Sequence, residues 1–153
     1  MTIEFVWQWL STILLVGGCI WALWRGEAAE RWGAGILLAA FGLTIVAQIL
    51  QPKDIYDGVG IITVDVAGLI AYVLLSLWSR RIWTLFMAAF QLNTVISHFA
   101  VYLSSHVDMY TQITAVGLWG GYAVSLALIA GMWSVERSRR KTKVFTLPPN
   151  TLS

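Results

Sequence analysis

The chain reads as an all-α integral membrane protein, a bundle of five transmembrane helices, and three observations predict that class. Of its 153 residues, 58% are apolar and 12% charged, and the mean hydropathy is +0.73. Soluble domains carry about 25% charged residues. The apolar residues fall into five runs, each near the roughly 20 residues that cross a 30 Å hydrocarbon core. Finally, the basic residues collect in alternate breaks between the runs, as the orientation of membrane helices requires.

The first run, Phe5 to Trp24, follows MTIEF, which holds Glu4 and no basic residue, so it reads as a permanent helix rather than a cleaved signal. RGEAAER at 25–31 breaks it from the second, Trp32 to Leu50. QPKDIYDG at 51–58, with Pro52 and Gly58 marking a turn, leads to the third, Val59 to Trp78. SRR at 79–81 is a very short link to the fourth, Ile82 to Leu103, which must therefore run antiparallel to the third. SSHVDMY at 104–110 precedes the fifth, Thr111 to Trp133. Residues 1–133 thus form one membrane domain and 134–153 a basic tail, with no room for a separate soluble domain and no internal repeat.

With the N-terminus outside, Arg25, Arg31, Arg80, Arg81, Arg137, Arg139, Arg140, Lys141 and Lys143 lie in the cytoplasm and only Lys53 outside, a split of nine to one. The C-terminus is then cytoplasmic, and the expected location is a bacterial inner membrane. Trp21, Trp24, Trp32, Trp78, Trp83 and Trp133 fall at the cytoplasmic ends and Trp7, Trp9, Tyr56, Tyr102 and Tyr110 at the outer ends, where amphipathic rings settle.

Against this apolar background Asp65 stands out, because a carboxylate at the centre of a membrane helix costs roughly 2.5–3.5 kcal/mol. Asp65, Gly68 and Tyr72 share one face of the third run, and Gln91, Thr94 and His98 one face of the fourth. Asp65 and His98 lie about 9 and 7.5 Å from the outer ends of their helices. An antiparallel register that pairs them also pairs Tyr72 with Gln91. Two readings stay open: an interhelical tie, of the kind worth about 0.6 kcal/mol, or a site where carboxyl and imidazole exchange a proton. Gln48, Gln112 and Thr114 reach similar depth, while Trp119 serves bundle packing or ligand stacking.

The fifth run also repeats Gly117, Gly121 and Ser125 at every fourth residue, a flat strip on which a helix can pack; Gly35 and Ala39 offer another. The favoured role is accordingly an accessory or interaction subunit that packs against itself or a larger membrane complex. The alternative is a proton-linked carrier or a small-molecule or lipid receptor with an outer-half pocket of Asp65, Tyr72, Gln91, His98 and Trp119.

No enzymatic arrangement is expected. Adjacent Ser97 and His98 point about 100° apart and cannot share a triad with Asp65. The two histidines and single cysteine do not compose a zinc or haem site, so no metal or cofactor is expected. Cys19 has no cysteine to pair with. The basic tail reads as an anchor at the lipid surface, with no nucleic-acid partner expected. In length and tryptophan-rich five-helix plan the chain resembles the translocator proteins that bind porphyrins and sterols. The prolines of that family's aromatic motifs have no counterpart, since the only prolines are Pro52, Pro148 and Pro149, and no residue role is carried over.

Overall fold

The computed structural model describes residues 3–50, 59–103 and 109–145, and these are helical except for two two-residue links. Helix α1 (Ile3–Arg25) turns at residues 26–27 into α2 (Ala28–Leu50), and α3 (Val59–Ser79) turns at residues 80–81 into α4 (Ile82–Leu103). Helix α5 (Met109–Val116), a π-helical segment (Gly117–Ala123) and α6 (Val124–Phe145) follow without a break. Three helical stretches are long and apolar enough to cross a membrane: Ala28–Leu50, Val59–Ser79 and Thr114–Lys141. Within α1 the stretch Trp9–Arg25 is apolar as well.

Local chemistry sets the turns. Helix α2 begins ahead of Trp32, because the backbone N–H of Glu27 donates to the Glu30 carboxylate at 3.0 Å and caps the helix there. At the α3–α4 link Arg80 takes a positive φ of 52°, which reverses the chain within two residues. Thr84 then ties the turn down, donating from its backbone N–H and its hydroxyl to the Arg81 carbonyl at 3.1 and 2.6 Å.

Each rod packs on its sequence neighbour, and α6 closes the bundle between α4 and α1 while also touching α2. Small residues bring α1 and α2 close enough for the Cys19 thiol to reach the Ala34 carbonyl at 3.7 Å. The core joins Leu15, Tyr72, Met87, Leu128 and Met132 from different helices. Outward positions such as Ile13, Leu43, Ile70, Leu74, Phe86 and Ile96 are apolar and exposed, whereas Glu30, Thr84, Gln91, Thr94, His98 and Ser125 are buried. Water would favour the reverse distribution, and hydrocarbon favours this one.

Trp83 departs from the expected belt. Trp24, Trp32, Trp78 and Trp133 are exposed, but Trp83 is buried, its ring seated on Gly33 of α2 and Gly131 of α6. A Cβ on Gly131 would lie 2.6 Å from that ring. The contact also places α6, at Gly131, beside the starts of α2 and α4, and α6 continues past them, so both basic turns and the basic end of α6 occupy one end of the bundle. Tyr56 and Lys53 lie outside the described residues, as do the side chains of Tyr102 and Tyr110.

The fifth run is one rod but not one regular helix. Over Gly117–Ala123 it widens to a π-helix, after which α6 runs on through Trp133 to Phe145, so the tail expected from residue 134 begins as an unbroken continuation of the helix. The π segment fits where it does because consecutive glycines face two different helices. A Cβ on Gly120 would stand 3.2 Å from the Thr94 hydroxyl of α4, and one on Gly121 would stand 2.8 Å from the Ser11 hydroxyl of α1. Gly121 and the buried Ser125, whose hydroxyl donates to the Gly121 carbonyl at 2.6 Å, are therefore used within the chain. Of the strip Gly117, Gly121 and Ser125, Gly121 thus packs against α1 inside the bundle, while a Cβ on Gly117 would meet nothing within 4 Å.

Candidate functional site

Helices α3 and α4 converge on the carboxylate of Asp65. The short link holds them antiparallel and in register, so the inward faces of the two helices meet. Nε2 of His98 lies 2.7 Å from Oδ2 of Asp65. From the other side Gln91 Nε2 donates to Oδ1 at 3.0 Å and to the Asp65 backbone carbonyl at 3.2 Å. The Asp65 and His98 side chains are 14% and 8% exposed. When the carboxyl is ionised, the imidazole N–H donates to it; when it is protonated, Nε2 can accept.

Tyr72 and Gln91, expected to pair, share no hydrogen bond, because Gln91 donates to Asp65 instead. A carboxylate is a stronger acceptor than a phenol, and Gly68 leaves a gap through which the amide extends toward it. A Cβ on Gly68 would lie 3.5 Å from Gln91 Nε2. Tyr72, 1% exposed, has a hydroxyl with no hydrogen-bond partner among the described residues. It sits seven residues along α3 from Asp65, about 10 Å deeper in the bundle.

The remaining polar residues sort themselves by local bonding. Thr94 and Ser97 donate to carbonyls four residues back in α4, at 3.2 and 2.8 Å, so Ser97 addresses its own helix and not the carboxylate. Trp119 stacks on Phe90 with ring centroids 5.9 Å apart, half-buried on the π segment and beside the cluster. Gln48 is exposed, and the Gln112 side chain and both His106 and Asp108 fall outside the described residues.

A second charged cluster went unread in the sequence. Glu30 is fully buried, and its carboxylate accepts from Arg81 Nη1 at 2.5 Å and from the Glu27 backbone at 3.0 Å. Arg81 also donates to Glu27 through Nη2. Burial works against the guanidinium charge, but the hydrogen bonds and attraction of Glu27 and Glu30 outweigh it and raise the Arg81 pKa. The available signal was EAAE at the helix start, acidic residues placed at the otherwise basic end of the chain. The two clusters occupy opposite ends of the α3–α4 hairpin, with Tyr72 between them. Among the described residues no three His, Cys, Asp or Glu side chains are grouped to hold a metal ion.

Fold and cluster together define a class: a helical bundle with apolar helices of membrane-crossing length and an ionisable pair among its helices. No protein-family model matches the chain, and no curated protein or solved structure is significantly similar to it.

Proposed function

We propose that the chain is a five-span protein of a bacterial inner membrane, N-terminus outside, that works without enzymatic chemistry as a proton-linked carrier, with Asp65 and His98 as its proton-binding pair. The observation that carries this reading is the 2.7 Å contact between two ionisable side chains in apolar helices that Gln91 already bridges. A neutral residue at position 65 could serve a purely structural tie at lower cost. Two further features support it. A π-helical segment, a form frequent at functional sites, packs against α4 beside the pair through Gly120 and Thr94. The Tyr72 hydroxyl, without a hydrogen-bond partner among the described residues, sits on α3 between Asp65 and the link that carries Arg81.

The test is proton flux into liposomes reconstituted with wild type or Asp65→Asn under an imposed pH gradient. The amide keeps a hydrogen bond to the imidazole, so the variant is expected to fold, but it cannot take up a proton. Flux is expected to fall at least about a hundredfold, the low end for a positioned proton-transfer group. Full flux in folded Asp65→Asn would reduce the pair to a tie between helices.

A second reading, an accessory subunit that self-associates or joins a larger membrane complex, draws on α2. There Gly35, Ala39 and Gly42 run along one side, and a Cβ on either glycine would meet nothing within 4 Å. Stoichiometric protein partners retained in mild detergent would favour this reading over the carrier.

A further inference from the structure

Helix α5, the π segment and α6 form one continuous rod, Met109–Phe145, about 55 Å long at 1.5 Å per residue, against a hydrocarbon core of roughly 30 Å. The apolar run within this rod ends at Trp133, so in a bilayer the residues beyond Trp133 stand among headgroups. That is where the surface of α6 changes character. A groove of about 630 Å³ runs along its outward side, apolar at Ile129 and Ala130, then hydroxylic at Ser134 and basic at Arg137 and Lys141. Ile129, Trp133, Arg137 and Lys141 form a ridge at four-residue spacing, and the small side chains of Ala130 and Ser134 lie beside it.

Among the described residues the charges in this groove are not taken up by carboxylates. The neighbouring Arg140 faces Glu136 at 3.7 Å, whereas among the described residues no carboxylate pairs with Arg137 or Lys141. The Arg137 guanidinium lies 5.4 Å from the centre of the Trp133 ring, a cation–π contact that holds it at the level of the indole. The groove thus presents two cations and a hydroxyl at one end, and a hydrocarbon wall at the other, in the order in which a phospholipid presents phosphate and acyl chain. An acidic peptide or a free anion would leave the apolar half uncovered.

We propose that this groove binds one anionic phospholipid, its phosphate between Arg137 and Lys141 and its upper acyl chain along Ile129 and Ala130. The site rests on the membrane-spanning reading but not on proton carriage.

The experiment places the full chain in nanodiscs of phosphatidylcholine with phosphatidylglycerol admixed, and counts phosphatidylglycerol retained on release into the gas phase by native mass spectrometry. Wild type is expected to keep one. Each cation near an anionic surface contributes roughly a factor of five, so Arg137→Gln with Lys141→Gln should weaken retention about twenty-five-fold. Arg139→Gln with Arg140→Gln removes the same charge outside the groove and should leave retention within about twofold of wild type. Equal losses in both double variants would mean general attraction of a basic end and would overturn the site. Displacement of the lipid by inorganic phosphate alone would overturn the choice of occupant. Failure of wild type to enter nanodiscs of either composition would remove the membrane reading and the site with it, whereas normal entry without lipid retention would remove the site alone.

Discussion

A carboxylate inside an apolar bundle is held in place by the donors it collects, and Asp65 and Glu30 collect theirs differently. Asp65 has an imidazole and an amide from α4. Glu30 has a backbone N–H and the Arg81 guanidinium, and Arg81 in turn has Glu27 as a second, half-exposed partner. The substitutions should therefore be asymmetric. Arg81→Ala leaves Glu30 buried and charged with its capping bond alone, and is expected to cost about 3 kcal/mol. Glu30→Gln keeps an acceptor for the Glu27 N–H and leaves Arg81 on Glu27, so it should cost under about 1 kcal/mol. Unfolding of both variants in detergent by urea measures the difference, and an equal or reversed order would contradict the pairing. The juxtaposition of Asp65 and His98 was legible because same-face spacing and a two-residue link leave one antiparallel register. Gln91's true partner was not, since side-chain reach through the gap at Gly68 decides it. Glu30 was hidden because its partner lies across a different turn, 51 residues away.

At the scale of elements, the helices were legible from their apolar runs, but the purpose of individual glycines within them was not. Spacing marks Gly117, Gly121 and Ser125 as a strip; only the packed bundle shows which glycines are already against a neighbour. Gly131 is the tightest case for α6, because an alanine Cβ there would stand 2.6 to 2.9 Å from three Trp83 ring atoms, and Trp83 is itself wedged against Gly33. Gly131→Ala should therefore destabilise the fold by about 1–3 kcal/mol as an overpacked site, despite alanine's better helix propensity. Gly35→Ala, with nothing within 4 Å of its Cβ, should be neutral or stabilising by up to about 1 kcal/mol. Thermal unfolding of the two variants in the same detergent gives the comparison. A Gly131→Ala variant as stable as Gly35→Ala would mean that α6 and α4 do not meet at Trp83. The π segment has no comparable signature in the sequence, because hydrophobic spacing does not distinguish a widened turn from a regular one.

For the whole molecule, composition predicts the class and the bundle adds a direction. The turn between α1 and α2, the turn between α3 and α4, and α6 at Gly131 meet around Trp83, Glu30 and Arg81, and α6 runs on past them, which gathers Arg25, Arg31, Arg80, Arg81, Arg137, Arg139, Arg140 and Lys141 at one end. Short basic segments are retained in the cytoplasm, so that end should face inward. An even number of spans would follow if α1 lay outside the bilayer. Its packing argues otherwise. Ser11 meets Gly121, Gly18 meets Ile129 and Cys19 reaches Ala34, so α1 is in contact with the other rods along its length, and its 23 residues span about 35 Å. A reporter at the N-terminus should therefore read as external, one inserted near Asp54 as external, and one fused after Ser153 as cytoplasmic. Cytoplasmic activity at both termini would reduce the bundle to four spans with α1 peripheral, and an external C-terminus would invert the orientation and take the basic groove of α6 away from the leaflet where anionic lipid is attracted.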